Sequence, residues 1–136
     1  MGEMLRSPRT GEVNDRRLLA AWAVECAELV LPLYEATFPG DPRPRRAVEG
    51  TRGWVEGTVR VGVARAYGAS ARVAAREAAA SGEPRAAAAA HLCAQTASVA
   101  HLAGKALGVH HYAAGAVDDV SVLPSPPIPL PGSAQV

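Results

Sequence analysis

A chain of 136 residues can bury one hydrophobic core of ordinary size. Its 14 basic and 13 acidic residues leave a formal charge of +1, too little for a global field that would draw nucleic acid or an anionic membrane. Hydrophobic residues make up 49 % but aromatics only 4 %, so the core must be built from Ala, Val and Leu around Trp22 and Trp54.

The opening residues 1–13 mix Gly, Pro and charge without periodicity and read as a flexible tail. Asn14 or Asp15 then offers a side-chain acceptor for the free amides of a first helical turn. In the helix that follows, Leu18, Trp22, Cys26, Leu29 and Leu33 recur at helical spacing and predict one buried stripe. Pro32 removes an amide donor within that helix and predicts a kink. The run Pro39-Gly40-Asp41-Pro42 turns the chain into a second helix over about residues 43–57, with Ala47, Val48, Thr51, Trp54 and Val55 inward.

A third helix is expected over about 61–80, closed by Gly82 and followed by Pro84 at a helix start. The fourth should run from 84 to 107, with a break or bend at Gly104 or Gly108 and a short fifth helix near 108–118. After it, residues 119–136 are Pro-rich and cannot propagate a helix, so they are either disordered or an extended strap. No segment alternates with period two. The expected fold is an all-α, single-domain bundle of four to five helices spanning 14–118, with an Ala-rich central helix between two tails. Residues 1–17 contain no apolar run of secretory type, and no stretch is long and uncharged enough to cross a bilayer, which predicts a cytoplasmic protein.

The fourth helix has two apolar sides, which predicts burial between partners. Leu92, Val99, Leu102, Ala103 and Ala106 form one side, and the small residues Cys93, Ala97, Ala100 and Gly104 form the other. A small-residue face of this kind could also seat a second copy in a homodimer. The remaining edge carries His91, Gln95, Ser98, His101 and Lys105. Two readings stand. The edge is a solvated strip, or it is the wall of a cleft completed by Tyr34 and Glu35 of the first helix.

His91 and His101 lie some ~15 Å apart along a helix and cannot share an ion, and no metal-ligand spacing occurs, so no metal or other cofactor is expected. Cys26 and Cys93 sit in apolar patterns as free thiols. No nucleophile elbow, phosphate loop or dinucleotide turn is present, and no catalytic residue can be named. Glu28 and Glu35, seven residues apart, are expected to pair with arginines at the surface of the bundle. On the second helix Arg45, Glu49 and Arg52 have ladder spacing, which leaves Arg43, Arg46 and Arg60 for solvent or a partner.

The stretch from Arg16 to Val59 resembles the start of a helical domain called the putative immunity protein family, found in bacterial polymorphic toxin systems. The residues that carry the likeness are Trp22, Cys26, Ala27, Glu28, Asp41, Arg43, Pro44, Arg45, Arg52 and Trp54. A looser match continues to about residue 118, with Lys105 where the family often has His and Arg60 where it often has Ser or Thr. The resemblance implies an α-helical protein that binds and neutralises a toxin, without catalytic residues.

Two functions therefore stand as expectations. One is protein binding of the immunity type through a surface around Arg43, Arg45, Glu49 and Arg52. The other is a small-molecule-binding protein or small enzyme of natural-product biosynthesis or self-resistance, with a cleft walled by Tyr34, Glu35, His91, Gln95 and His101.

Overall fold

The computed structural model describes residues 10–130 of the chain. Five α-helices follow in order: α1 (Thr10–Thr37), α2 (Arg43–Val55), α3 (Val61–Ala80), α4 (Pro84–His101) and α5 (Gly108–Ala116). Short 3-10 turns occupy Ala103–Leu107 and Val120–Val122, and the described residues contain no strand. The protein is an all-α bundle. Residues 1–9 and 131–136 of the two expected tails lie outside the described residues.

The Ala-rich α4 is the central element, in contact with α1, α2, α3 and α5. Nearly all of its residues from Ala86 to Ala100 are buried. Alanine gives it little side-chain bulk, so its neighbours come close. A Cβ placed on Gly68 of α3 would stand 2.7 Å from that of Ala97, and one on Gly115 of α5 would stand 2.9 Å from that of Ala88. Cys93, Ala97 and Ala100, the small-residue side of α4, are covered by the chain's own helices. Where α2 crosses α4, the hydroxyls of Thr51 and Thr96 meet at 2.9 Å in the interior, and they also contact the carbonyls of Ala47 and Cys93. With one proton on each hydroxyl, two of these three contacts are hydrogen bonds at any moment, and each oxygen keeps polar neighbours in the interior.

Several sequence expectations are corrected. Helix α1 begins at Thr10, ahead of the cap expected at Asn14 or Asp15. Its buried arc includes Leu19, Ala20, Trp22, Ala23, Val24, Cys26, Ala27, Val30, Leu31 and Tyr34. Leu18, Leu29 and Leu33 of the expected stripe are 45 %, 54 % and 37 % exposed. The helix is apolar over most of its circumference, so a stripe drawn through its bulkiest residues was rotated from the true centre of burial. Pro32 lies inside this helix, as the sequence implies, and is exposed, as is Glu28, whose carbonyl loses its amide partner.

Helix α4 stops at His101, short of the expected 107. Leu102 turns extended (φ −139°, ψ 115°) and is 52 % exposed, not buried as its spacing implied. The end is held by tertiary contacts. The Arg16 guanidinium donates to the carbonyl of His101 at 3.2 Å, and the Gln95 amide donates to the carbonyl of Lys105 at 2.8 Å. Arg17 does the same for α2, donating to Val55 O at 3.0 Å with its guanidinium over the Trp54 ring at 5.2 Å. Consecutive arginines thus satisfy the free carbonyls at two helix ends.

Beyond α5 the described part of the Pro-rich segment is a strap. Trp22 donates its indole N–H to the carbonyl of Pro124 at 2.6 Å. Leu123 is buried, and Ile128 and Leu130 pack on the core.

Candidate functional site

The turn between α1 and α2 is organised by Asp41. Its Oδ1 accepts from the backbone amide of Arg43 at 3.0 Å, an Asx-type turn that starts α2. The same carboxylate is clamped by Arg43 through Nε and Nη2, at 2.9 and 2.7 Å, and accepts from the Tyr34 hydroxyl at 2.5 Å. The Arg43 guanidinium holds the Asp41 carboxyl well below the usual carboxylate range. Burial, reinforced by the Asp41 hydrogen bond and charge, pushes the Tyr34 hydroxyl upward. Pro44 sits buried at the helix start, where its missing amide costs no intrahelical bond.

The arginines of this segment reach away from their own helix. Arg43 also pairs with Glu77 of α3 at 2.7 Å. Arg45 forks onto Glu35 of α1 at 2.7 and 2.5 Å, and Arg52 pairs with Glu28 of α1. The expected pairing of Glu28 and Glu35 with arginines is present. The ladder of Arg45, Glu49 and Arg52 is not. Both arginines point to α1, and Glu49 makes no ion pair among the described residues. Interhelical carboxylates offer the fork geometry that an exposed i,i+4 neighbour does not. The hydrogen bond from Arg45 holds the Glu35 carboxyl below its ordinary value.

The polar edge of α4 divides into separate environments. His91 stacks on Tyr112 of α5 with ring centroids 5.1 Å apart, and its Nδ1 is buried without a hydrogen-bond partner. Burial, aided by the charges of Arg72, Arg76 and His111, lowers its pKa. Gln95 is 6 % exposed, and its amide lies against Gly108, where a Cβ would come within 2.8 Å. Ser98 and His101 open onto a cleft of about 210 Å³ between α3 and the end of α4.

That cleft is lined by Arg65, Arg72, Ser98, His101, Leu102 and Lys105 over a floor of Gly and Ala. Arg72 donates to Ser98 Oγ at 3.0 Å, which steadies one cation against the wall. None of the lining residues is acidic. Of the expected cleft residues Tyr34, Glu35, His91, Gln95 and His101, only His101 lines it. Sequence reasoning missed Arg65 and Arg72. Their seven-residue spacing on α3 was the available signal, but their convergence on Lys105 depends on α4 ending at His101. Among the described residues, no three His, Cys, Asp or Glu side chains gather to hold a metal ion, and no helix is long and apolar enough to cross a membrane.

Residues 9–122 match the sequence model of one family, described as Imm-5 like putative immunity protein. No curated protein and no solved structure matches the chain. The match covers the Asp41 turn, the arginine pairs and the whole of the helical bundle, and the chain belongs to the Imm-5 like putative immunity protein family.

Proposed function

We propose that this protein neutralises a partner toxin by direct protein–protein contact, as a cytoplasmic protein of bacterial origin. The observation that carries the reading is family membership across residues 9–122. The α2 residues first considered for the contact surface divide into two kinds. Arg43, Arg45 and Arg52 brace α2 against α1 and α3, while Glu49 is exposed and unpaired among the described residues. An interface running along α2 would therefore use these pairs as its polar rim, which contributes more to orientation than to affinity.

The test is co-expression with a toxin domain encoded beside the gene. Growth should be restored by the protein, and the two chains should copurify. Restored growth without copurification, or no rescue at all, would overturn the reading.

The small-molecule alternative retains one supporting observation, the cleft at His101. Its other proposed walls, Tyr34, Glu35, His91 and Gln95, are not among the residues lining that cleft.

A further inference from the structure

Five carboxylates are paired with arginines outside the α3–α4 cleft, and none lines the cleft itself. Glu28, Glu35, Asp41, Glu77 and Asp118 are paired with Arg52, Arg45, Arg43 and Arg85 on other faces. Arg65, Arg72 and Lys105 share one cleft and have no carboxylate partner among the described residues. Three cations, of which Arg72 is held by Ser98, and an imidazole thus line one concave site in a chain whose formal charge is only +1. Like charges held together raise the energy of the free protein, and an anion seated among them relieves that repulsion.

We propose that the α3–α4 cleft is the seat for acidic side chains of the protein partner, with Arg72, Arg65 and Lys105 as the binding cations. This rests on the immunity reading above. A volume of about 210 Å³ suits one or two carboxylate side chains and falls below the roughly 300–1,000 Å³ of drug-sized ligand sites. Arg72 is pre-oriented by Ser98, which reduces the ordering cost of a forked contact. Leu102, half exposed at the edge, supplies apolar contact of the kind that surrounds a charged anchor in a protein interface.

The experiment titrates the full chain with a hexaglutamate peptide, followed by amide NMR, alongside hexaglutamine and inorganic phosphate. Shifts from hexaglutamate should centre on residues 65–72 and 98–105. The double variant Arg72→Gln/Lys105→Gln should weaken binding about tenfold or more, and Arg46→Gln should leave it unchanged. Equal binding by the double variant, shifts centred elsewhere, equal binding of hexaglutamine, or binding of phosphate without the peptide would each overturn the proposal.

Copurification with the toxin separates this idea from its parent. Equal capture by the parent chain and the double variant overturns the cleft seat and leaves the immunity reading intact. If the parent chain captures no toxin, the immunity reading fails, and the seat as a site for partner side chains falls with it. Both substituted side chains lie at the surface or partly so, and far-UV circular dichroism checks that the double variant is folded.

Discussion

Tyr34 and Asp41, seven residues apart across the first turn, are joined by a hydroxyl–carboxylate hydrogen bond of 2.5 Å, and Arg43 locks the same carboxylate from the other side. One acidic side chain therefore ties the end of α1, the turn and the start of α2 together, and Arg43 extends the tie to Glu77 on α3. The Asp-x-Arg-Pro-Arg signature is legible as a structural joint.

Removing the Asp41 carboxylate should cost more than removing the Tyr34 hydroxyl alone. Asp41→Ala leaves Arg43 and the Tyr34 hydroxyl without their shared acceptor, and a loss of about 1–3 kcal/mol is expected in urea denaturation. Tyr34→Phe should cost about 1 kcal/mol, because Arg43 still satisfies the carboxylate. A smaller loss for Asp41→Ala than for Tyr34→Phe would contradict the shared-acceptor picture.

The interhelical pairs on α2 predict a graded series. Arg45→Gln and Arg52→Gln each break an exposed or half-exposed pair and should cost roughly 0.2–1 kcal/mol, less at high salt. Glu49→Gln should be neutral within about 0.5 kcal/mol, since Glu49 makes no ion pair among the described residues. If Glu49→Gln proved as costly as Arg45→Gln, the within-helix ladder would be the better description.

Stability should fall with acid in two windows. The Asp41 and Glu35 carboxyls are held below their ordinary values in the folded protein. Their contribution is complete above the unfolded carboxylate range near ~4 and is lost as pH falls through the lower folded values. His91 is also lowered, first by burial, so the unfolded chain takes up its proton before the folded one does. That erodes stability as pH falls below about 6.5, and His91→Gln should flatten the slope in that upper window alone. Urea midpoints measured from pH 8 to 3 check both windows.

The strap and the buried thiols provide independent tests. Trp22→Phe keeps an aromatic ring but removes the donor to Pro124 and part of the buried indole, so hydrogen exchange should rise first in residues 123–130, with about 1–3 kcal/mol lost overall. Cys26 is buried and pushed up to about 12, chiefly by desolvation, and burial likewise raises Cys93. A thiol reagent should therefore modify either cysteine only as fast as the protein opens, and immediate labelling of the native protein would refute that burial.

Close helix approach is testable at Gly68. Its would-be Cβ meets Ala97 Cβ and the Ala94 carbonyl, both anchored to the backbone of α4, so neither can swing away. Gly68→Ala should cost about 1–3 kcal/mol and disturb the α3–α4 cleft. A neutral result would mean that the two helices separate freely.

Helix count, turn positions and the central place of α4 were legible from the sequence because they rest on local chemistry. Gly82 does adopt the left-handed backbone, at φ 79°, and Pro84 does open α4. The pairing of Glu28 and Glu35 with arginines was also foreseeable from charge and position. The azimuth of α1 was not, because a helix apolar on most sides offers little contrast between Leu18, which is exposed, and Leu19, which is buried.

The sequence by itself determined an Ala-rich helical bundle and its family, since periodicity, helix breakers and the Asp41–Arg52 signature are properties of neighbouring residues. Only the tertiary structure decided where α4 ends, which carboxylate each arginine takes, and that Arg65, Arg72 and Lys105 share a cleft. Those outcomes depend on groups as far apart in the chain as Arg16 and His101, whose meeting is set by how the helices dock.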